Sequence, residues 1–249
     1  MEIKAYIKRI NYKGSLEPTV ETLRGLQLAH LQTVPFENLS IHAKEPILLQ
    51  EDSLFEKIVM RKRGGFCYEL NGLFAALLRE LGFEVTMLSA GVAKNDGGFG
   101  PDFDHMTLMV SLEERWLVDV GFGDSFQQPL LIDSRDVQLQ GVRSYQINDD
   151  GKYLVLKEKK NEGDWNAQYR FYLHPCELGD YEEMCRYHQT SPQSTFTQKR
   201  LCSIAKPNGR TTLSDMRLIE TIGEEKFERT LADDTEYKTV LKKEFVIFM

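Results

Sequence analysis

One cysteine in this 249-residue chain stands in a setting that its three companions lack. Cys67 lies in the run Arg63-Gly64-Gly65-Phe66-Cys67-Tyr68-Glu69-Leu70-Asn71, between a glycine pair and a strongly patterned apolar stretch. Leu70, Leu73, Phe74, Leu77, Leu78 and Leu81 recur at i, i+3, i+4, i+7, i+8 and i+11, one face of a 3.6-residue helix. Gly82 then fits the C′ position. Cys67 is thus predicted at or just before a helix N-terminus, where unpaired N–H groups and the helix dipole favour negative charge and lower a thiol pKa. The glycines permit a tight turn into the helix and keep bulk away from the sulfur. The competing reading is a buried structural thiol, since free cysteine is among the most buried residue types.

A nucleophilic cysteine needs a base, and the base needs an orienting group. His105 opens a run, His105 to Ser111, in which Met106, Leu108 and Val110 face one way and His105, Thr107, Met109 and Ser111 the other. Asp119 stands near the end of the next strand-like run, residues 115–120. In a hairpin the start of the first strand neighbours the end of the second, so the two side chains can meet. Both numbers are odd, so they share a face only if the turn has an odd number of residues or a bulge intervenes. Direct opposition would centre the turn on Leu112, and a two-residue Glu113-Glu114 turn would put Asp119 on the wrong face. Taken singly, each residue has a plain structural reading: a strand histidine is often only hydrogen-bonded, and a strand-end aspartate often caps a turn.

The elements that must hold these residues follow in order. Residues 1–82 read as helical. Residues 19–34 carry Val20, Leu23, Leu26, Leu31 and Val34, and the helix should stop before Pro35. Residues 35–39 read as a non-helical link. Ser53-Leu54-Phe55-Glu56 has the form of a capping box, with Ser53 as N-cap. Arg61-Lys62-Arg63 follow near the C-terminus of that helix, where its dipole suits cations. After Gly82 the period changes to two: strands are expected at 83–92, 105–111 and 115–120, with shorter pieces at 144–146, 153–157 and 169–173. A short helix is expected at 181–188, a hairpin from 201–205 and 211–221, and a last helix at 233–243. Helices first, then antiparallel strands, then a mixed tail make an α+β pattern.

Composition narrows the function classes. The chain is 41% apolar and 28% charged with net charge −7, ordinary for a globular protein and long enough for one to two domains. No basic stretch interleaves with aromatics, which argues against nucleic acid. No apolar run reaches the roughly 18 residues of a membrane span, and no signal-peptide pattern opens the chain, so a cytoplasmic, reducing compartment is expected. Cys67, Cys176, Cys185 and Cys202 include no C-x-x-C pair, and the five histidines offer no H-x₃₋₅-H pair. Neither a zinc site nor disulfides are expected.

The combination of Pro35-Phe36-Glu37-Asn38-Leu39, Arg63 to Asn71, Asp104-His105-Met106 and Val118-Asp119-Val120-Gly121-Phe122-Gly123 resembles the arylamine N-acetyltransferases. Residues 190–197 and Pro207-Asn208-Gly209-Arg210 look like the same family. The resemblance implies a papain-like cysteine-enzyme core in three parts: a helical bundle (1–82), a β-barrel-like domain (83–195) and a small α/β lid (196–249). It implies a triad of Cys67, His105 and Asp119, acetyl-CoA as donor, and an arylamine or arylhydrazine as acceptor in a ping-pong cycle, with no metal. Backbone N–H groups of Tyr68 and Phe103 are candidate donors to the tetrahedral oxyanion. Gly121, Phe122, Gly123 and Ser125 are candidates for the CoA pyrophosphate, although a Gly-x-Gly after a strand is more often only a turn. Phe36 and Phe122 are candidate walls for a flat ring, or simply core. Lys199, Arg200, Lys206 and Arg210 are the nearest cations for CoA, with a solvated face as the default reading. Two departures stand out: the His-to-Asp hairpin is about one residue shorter than is usual in the family, and the last residues, 245–249, come earlier than expected, which bears on the CoA pose.

Two other classes fit the residues. A cysteine hydrolase or transglutaminase-like enzyme shares the Cys, His, Asp order. A binding protein that keeps the fold without the chemistry would leave Cys67 no more reactive than a free thiol. The sequence leaves the physiological acceptor and the oligomeric state open.

Overall fold

In the computed structural model, which describes residues 1–248, five helices fill the first third of the chain. They are α1 (Ile3–Arg9), α2 (Val20–Thr33), α3 (Leu39–His42), α4 (Glu51–Phe55) and α5 (Cys67–Glu80), with a π-helical turn at Glu56–Met60 after α4. Thr19 caps α2 by accepting the Thr22 N–H, and Val34 is extended, as a residue before proline must be. The helix expected to start at Ser53 instead starts at Glu51, with Gln50 at the N-cap and no side-chain cap. Glu51 and Asp52 fall in its first turn, where the helix dipole welcomes carboxylates and makes a Ser53 cap unnecessary.

Helix α5 is the axis of the helical layer. It ends at Gly82, whose φ of +88° is left-handed backbone. Leu70, Leu73, Phe74, Leu77 and Leu78 are fully buried, each stabilising the fold by roughly 1.5–3 kcal/mol. Burial extends right round its N-terminal half, to Cys67, Tyr68, Glu69, Asn71 and Gly72, so this half packs on all sides. Truncating Leu77 there would cost about 2–5 kcal/mol.

Two antiparallel sheets follow. Strand β1 (Phe36–Glu37), which turns the expected link into a strand, pairs with β10 (Leu201–Lys206). The eight-stranded sheet contains β2 (Glu84–Val92), β3 (His105–Ser111), β4 (Arg115–Val118), β5 (Leu130–Leu131), β6 (Gln138–Gln140), β7 (Arg143–Asp149), β8 (Leu154–Lys160) and β9 (Asn166–Cys176), in the order β5-β4-β3-β2-β9-β8-β7-β6. Its ends nearly meet. Gln138 Oε1 and Nε2 bond Leu131 N and O, while Gln140 Oε1 accepts from Gln127 N and Gln128 N. Glutamine amides therefore stand in for the missing ladder between the two edges and leave the sheet a nearly closed barrel. Its inside is apolar, with Leu88, Leu117, Phe126, Tyr145, Leu156 and Phe171 together.

Between the sheets lie a 3₁₀ turn (Leu178–Tyr181), α6 (Glu182–Thr190) and α7 (Thr195–Gln198). The second sheet runs β1-β10-β11-β12-β13, with β11 (Gly209–Ser214), β12 (Arg217–Ile222) and β13 (Glu225–Thr230), and α8 (Asp234–Phe245) covers it. The expected strand 211–221 is therefore two strands. The chain reverses at Asp215, which takes φ +48° without any glycine or proline to mark it.

Candidate active site

Cys67 is the first residue of α5 and is 3% exposed. Three glycines let the backbone close around it. A Cβ on Gly64 would stand 1.9 Å from Pro35 O, one on Gly65 2.8 Å from Glu69 Oε2, and one on Gly121 2.7 Å from Cys67 Cα. The Glu69 carboxylate accepts the Phe66 N–H at 3.1 Å and a Lys57 Nζ bond at 2.7 Å, which fixes the entry to the helix. The thiol is not lowered by the helix start as the sequence suggested. Burial pushes it up, a hydrogen bond from the Met106 N–H draws it down, and the carboxylates of Asp119 and Asp104 push it up again. Desolvation is the largest of these effects.

That Met106 contact places the thiol against the start of β3, one residue from His105. The β3–β4 register pairs Leu108 with Val118 and Ser111 with Arg115, so the turn is the three residues Leu112-Glu113-Glu114. An odd turn puts His105 and Asp119 on one face. The centre is Glu113, one residue beyond the Leu112 of direct opposition, so the two meet on the diagonal. His105 Nε2 lies 2.7 Å from Asp119 Oδ2, both side chains being buried.

Asp119 is held from the other side. Its Oδ1 accepts from Asn71 Nδ2 at 2.9 Å and from the Gly121 N–H at 2.8 Å. Asn71 also donates to Met106 O at 2.7 Å and accepts from Val120 N at 2.9 Å. One fully buried amide therefore ties the cysteine helix, the histidine strand and the aspartate loop together. The sequence reading did not single out Asn71. Its signal was a polar residue beside an apolar helical stripe.

The Pro35 to Leu39 motif does related work. Glu37 and Arg63, both buried, form an ion pair at 2.8 Å, and Glu37 Oε2 accepts the Leu39 N–H. Arg63 thus turns inward to a carboxylate instead of serving its helix end. Asn38 Nδ2 donates to Phe196 O and Lys199 O, and its Oδ1 accepts the Leu201 N–H. That clamp holds the 196–201 segment over the cysteine helix.

These groups open onto one cavity of about 1070 Å³. Cys67, His105, Phe36, Gly121, Phe122 and Gly123 all line it. His105 meets Phe122 edge-on at 5.1 Å and Tyr169 at 5.1 Å. Phe196, Tyr187, His188 and Asp104 join the wall without having been singled out as candidates from the sequence. Two expected residues do not fit their roles. The Phe103 N–H is already spent on Ser89 Oγ at 2.7 Å, so it is not free for an oxyanion. Ser125 is buried and is not among the lining residues. The Tyr68 side chain donates to Phe103 O at 2.6 Å, tying α5 to the loop before β3.

Of the four expected cations only Arg210 reaches the cavity. It donates to Gly123 O and to Ser203 Oγ. Asp124 pairs with Arg210 at 3.3 Å, Arg143 at 2.7 Å and Lys160 at 3.3 Å. Burial alone would raise its carboxyl, but these three cations hold it below the usual range. Glu158 also pairs with Arg143 at 2.9 Å and Lys160 at 3.8 Å, so three cations face two carboxylates, and Arg210 and Asp124 are the members at the cavity rim. No group of three or more metal-ligating side chains occurs among the described residues, and no described helix is long and apolar enough to cross a membrane. A buried thiol, an imidazole backed by a carboxylate, aromatic walls and an arginine at the rim can together carry out acyl transfer through sulfur.

Comparison with known proteins gives the same direction. A family model described as N-acetyltransferase matches residues 19–249. The pineal gland isozyme NAT-3 of arylamine N-acetyltransferase from Gallus gallus is 34% identical, over 99% of this chain and 97% of its own. The Escherichia coli arylamine N-acetyltransferase is 34% identical, over 96% of this chain and 86% of its own. The Mycobacterium marinum arylamine N-acetyltransferase solved in complex with CoA superposes with a TM-score of 0.91 at 31% identity, covering 99% of this chain and 93% of that one.

Proposed function

The chain belongs to the arylamine N-acetyltransferase family, and from that premise we propose that Cys67, His105 and Asp119 carry an acetyl group from acetyl-CoA to an arylamine or arylhydrazine. The observation that carries this reading is the buried His105–Asp119 pair opening, with the Cys67 thiol, onto one aromatic-walled cavity.

With His105 neutral, burial keeps Cys67 a thiol. The thiolate forms when its proton passes to His105, because the imidazolium then stands between two anions, thiolate and Asp119 carboxylate. The thiolate attacks the acetyl carbonyl of acetyl-CoA. The carbon–sulfur bond to CoA breaks, and the CoA thiolate leaves with the proton from His105. Neutral His105 then takes a proton from the arylamine nitrogen as that nitrogen attacks the acetyl-cysteine, and returns it to Cys67 as the amide departs. Atoms balance without an external oxidant or metal. Arylamines are weak bases, so near neutral pH they enter an apolar cavity uncharged and nucleophilic. The Tyr68 N–H, in the first turn of α5, remains the candidate oxyanion donor.

Gly121 to Gly123 and Arg210 are the residues we assign to the CoA phosphates, with Phe36 and Phe122 against the acceptor ring. The CoA complex of the Mycobacterium marinum relative supports the donor assignment. We read three units, 1–82, 83–195 and 196–249, with a papain-like core and the last unit as lid. The barrel interior and the last sheet have apolar clusters of their own, which favours the division, while one face of β2, β3 and β4 packs into the cluster of the helices. A cytoplasmic location and no nucleic-acid or membrane partner complete the reading.

The test is a CoA-release assay with a panel of aromatic amines and hydrazines, run beside Cys67→Ala. Amine-dependent release that vanishes in the variant is expected. Release surviving Cys67→Ala would remove the covalent route.

A further inference from the structure

Beside the triad, the same cavity holds a second histidine–carboxylate pair that the acetyl-transfer steps do not use. His188, on α6, is 6% exposed. Its ring is nested edge-on against Phe196 at 5.1 Å and lies 6.4 Å from Phe66 and 6.1 Å from Tyr68, the two neighbours of Cys67. The pair therefore sits beside the residues that flank the nucleophile, and both its members line the same cavity as Cys67.

The hydrogen bonding sets the polarity of the pair. His188 Nδ1 lies 3.0 Å from Ser194 Oγ. Ser194 Oγ accepts the Phe196 N–H at 3.3 Å and keeps its hydrogen for Nδ1; because a bare Nε2 lone pair would face the Asp104 carboxylate at 3.5 Å, the neutral ring takes the tautomer in which the serine donates. The proton of the neutral imidazole then sits on Nε2. That atom is buried and has no hydrogen-bond partner among the described residues. It faces Asp104 Oδ1 across 3.5 Å. Asp104 keeps its other oxygen, Oδ2, on the Val92 N–H at 3.2 Å. A donor and an acceptor thus meet at the cavity wall from two different elements, 3.5 Å apart and with no hydrogen bond made at Nε2. Unpaired polar groups in such a site favour a ligand that pairs with them.

We propose that Asp104 and His188, with Ser194 fixing the imidazole tautomer, form a polar subsite that selects acceptors carrying a ring hydroxyl. This proposal rests on the acetyl-transfer reading above. A hydroxyl matches both groups, since it donates to the Asp104 carboxylate and accepts from His188 Nε2–H. A methyl group of similar size leaves both unpaired and desolvated. A ring carboxylate meets the Asp104 charge and is repelled.

Two measurements test it, with 4-aminophenol, 4-methylaniline and 4-aminobenzoate as probes. The first is equilibrium binding of the three amines to the Cys67→Ala protein, which does not depend on turnover. 4-Aminophenol is expected to bind about 10-fold tighter than 4-methylaniline, and 4-aminobenzoate weakest. His188→Phe, which keeps an aromatic ring among Phe66, Tyr68 and Phe196, should erase that preference. Asp104→Asn should raise the relative affinity of 4-aminobenzoate. The second is kcat/KM for each amine in the ping-pong assay. The 4-aminophenol to 4-methylaniline ratio should fall about 10-fold in His188→Phe, beyond any loss in kcat/KM for acetyl-CoA. Comparing variant with wild type cancels the intrinsic nucleophilicity of the amines. Equal affinities in the Cys67→Ala protein, or a ratio unmoved by both substitutions, would overturn the subsite. Binding preferences of the expected kind without acetylation of Cys67 would instead overturn the catalytic reading and leave the subsite standing.

Discussion

Asn71→Ala probes the part of the site that the sequence hid. The substitution deletes three hydrogen bonds at one point: the bonds to Asp119 Oδ1, Met106 O and Val120 N disappear, and only Gly121 N remains on Oδ1. At about 1 kcal/mol net for each of the three lost bonds the fold should lose at least about 3 kcal/mol, and more because Val120 N–H and Met106 O are left buried and unpaired. The Asp119 carboxylate, freed on one side, no longer fixes the His105 ring, and a lost supporting group of this kind costs roughly 10- to 100-fold in activity. Stability is read by urea unfolding, and activity by kcat/KM for acetyl-CoA at a temperature where the variant is fully folded. Asn71→Asp should be worse in activity, because a second buried carboxylate beside Asp119 leaves one of the pair protonated. An Asn71→Ala enzyme that is folded and turns over at the wild-type rate would refute the claim that this amide positions the pair.

His30, fully buried with neither ring nitrogen bonded, is lowered to about 3 by burial, with a smaller push from Arg9. Its folded value lies below the unfolded one near 6.5, so its contribution is complete above about pH 6.5 and is lost as pH falls from there towards 3, at up to about 1.4 kcal/mol per pH unit; His30→Leu should flatten that part of the stability profile by one proton, and an unchanged slope would contradict the assignment. Gly64→Ala puts a Cβ 1.9 Å from Pro35 O and must part the Phe36–Gly65 bridge, so urea unfolding should show a loss of more than about 2 kcal/mol, against a near-neutral exposed Gly179→Ala with open space at its Cβ.

What could be read in advance was whatever repeats. Helix α5 and strand β3 announce themselves through periods of 3.6 and 2, and the odd-turn requirement between His105 and Asp119 followed from counting alone. Strand β13 did not, because its residues are exposed on both faces and carry no alternation. Strand β6 escaped for a related reason: its work is done by glutamine amides that close the barrel, not by an apolar face. The reversal at Asp215 lacks glycine or proline, so two strands looked like one. The thiol was misjudged because a helix N-terminus is visible in sequence while full desolvation is a property of the packed fold. Asn71 meets Asp119, and Asp104 meets His188, across distant stretches of chain, and only tertiary contact brings either pair together.

The central claim is that Cys67 is the acetyl carrier. Intact-mass measurement after mixing the protein with acetyl-CoA, followed by removal of the donor and addition of an arylamine, tests it in one sequence. The protein should gain the mass of one acetyl group, peptide mapping should place it on Cys67, and the amine should discharge it stoichiometrically as the N-acetyl product. A protein that forms N-acetylarylamine while its mass never changes, or whose adduct sits elsewhere and survives the amine, would contradict the account.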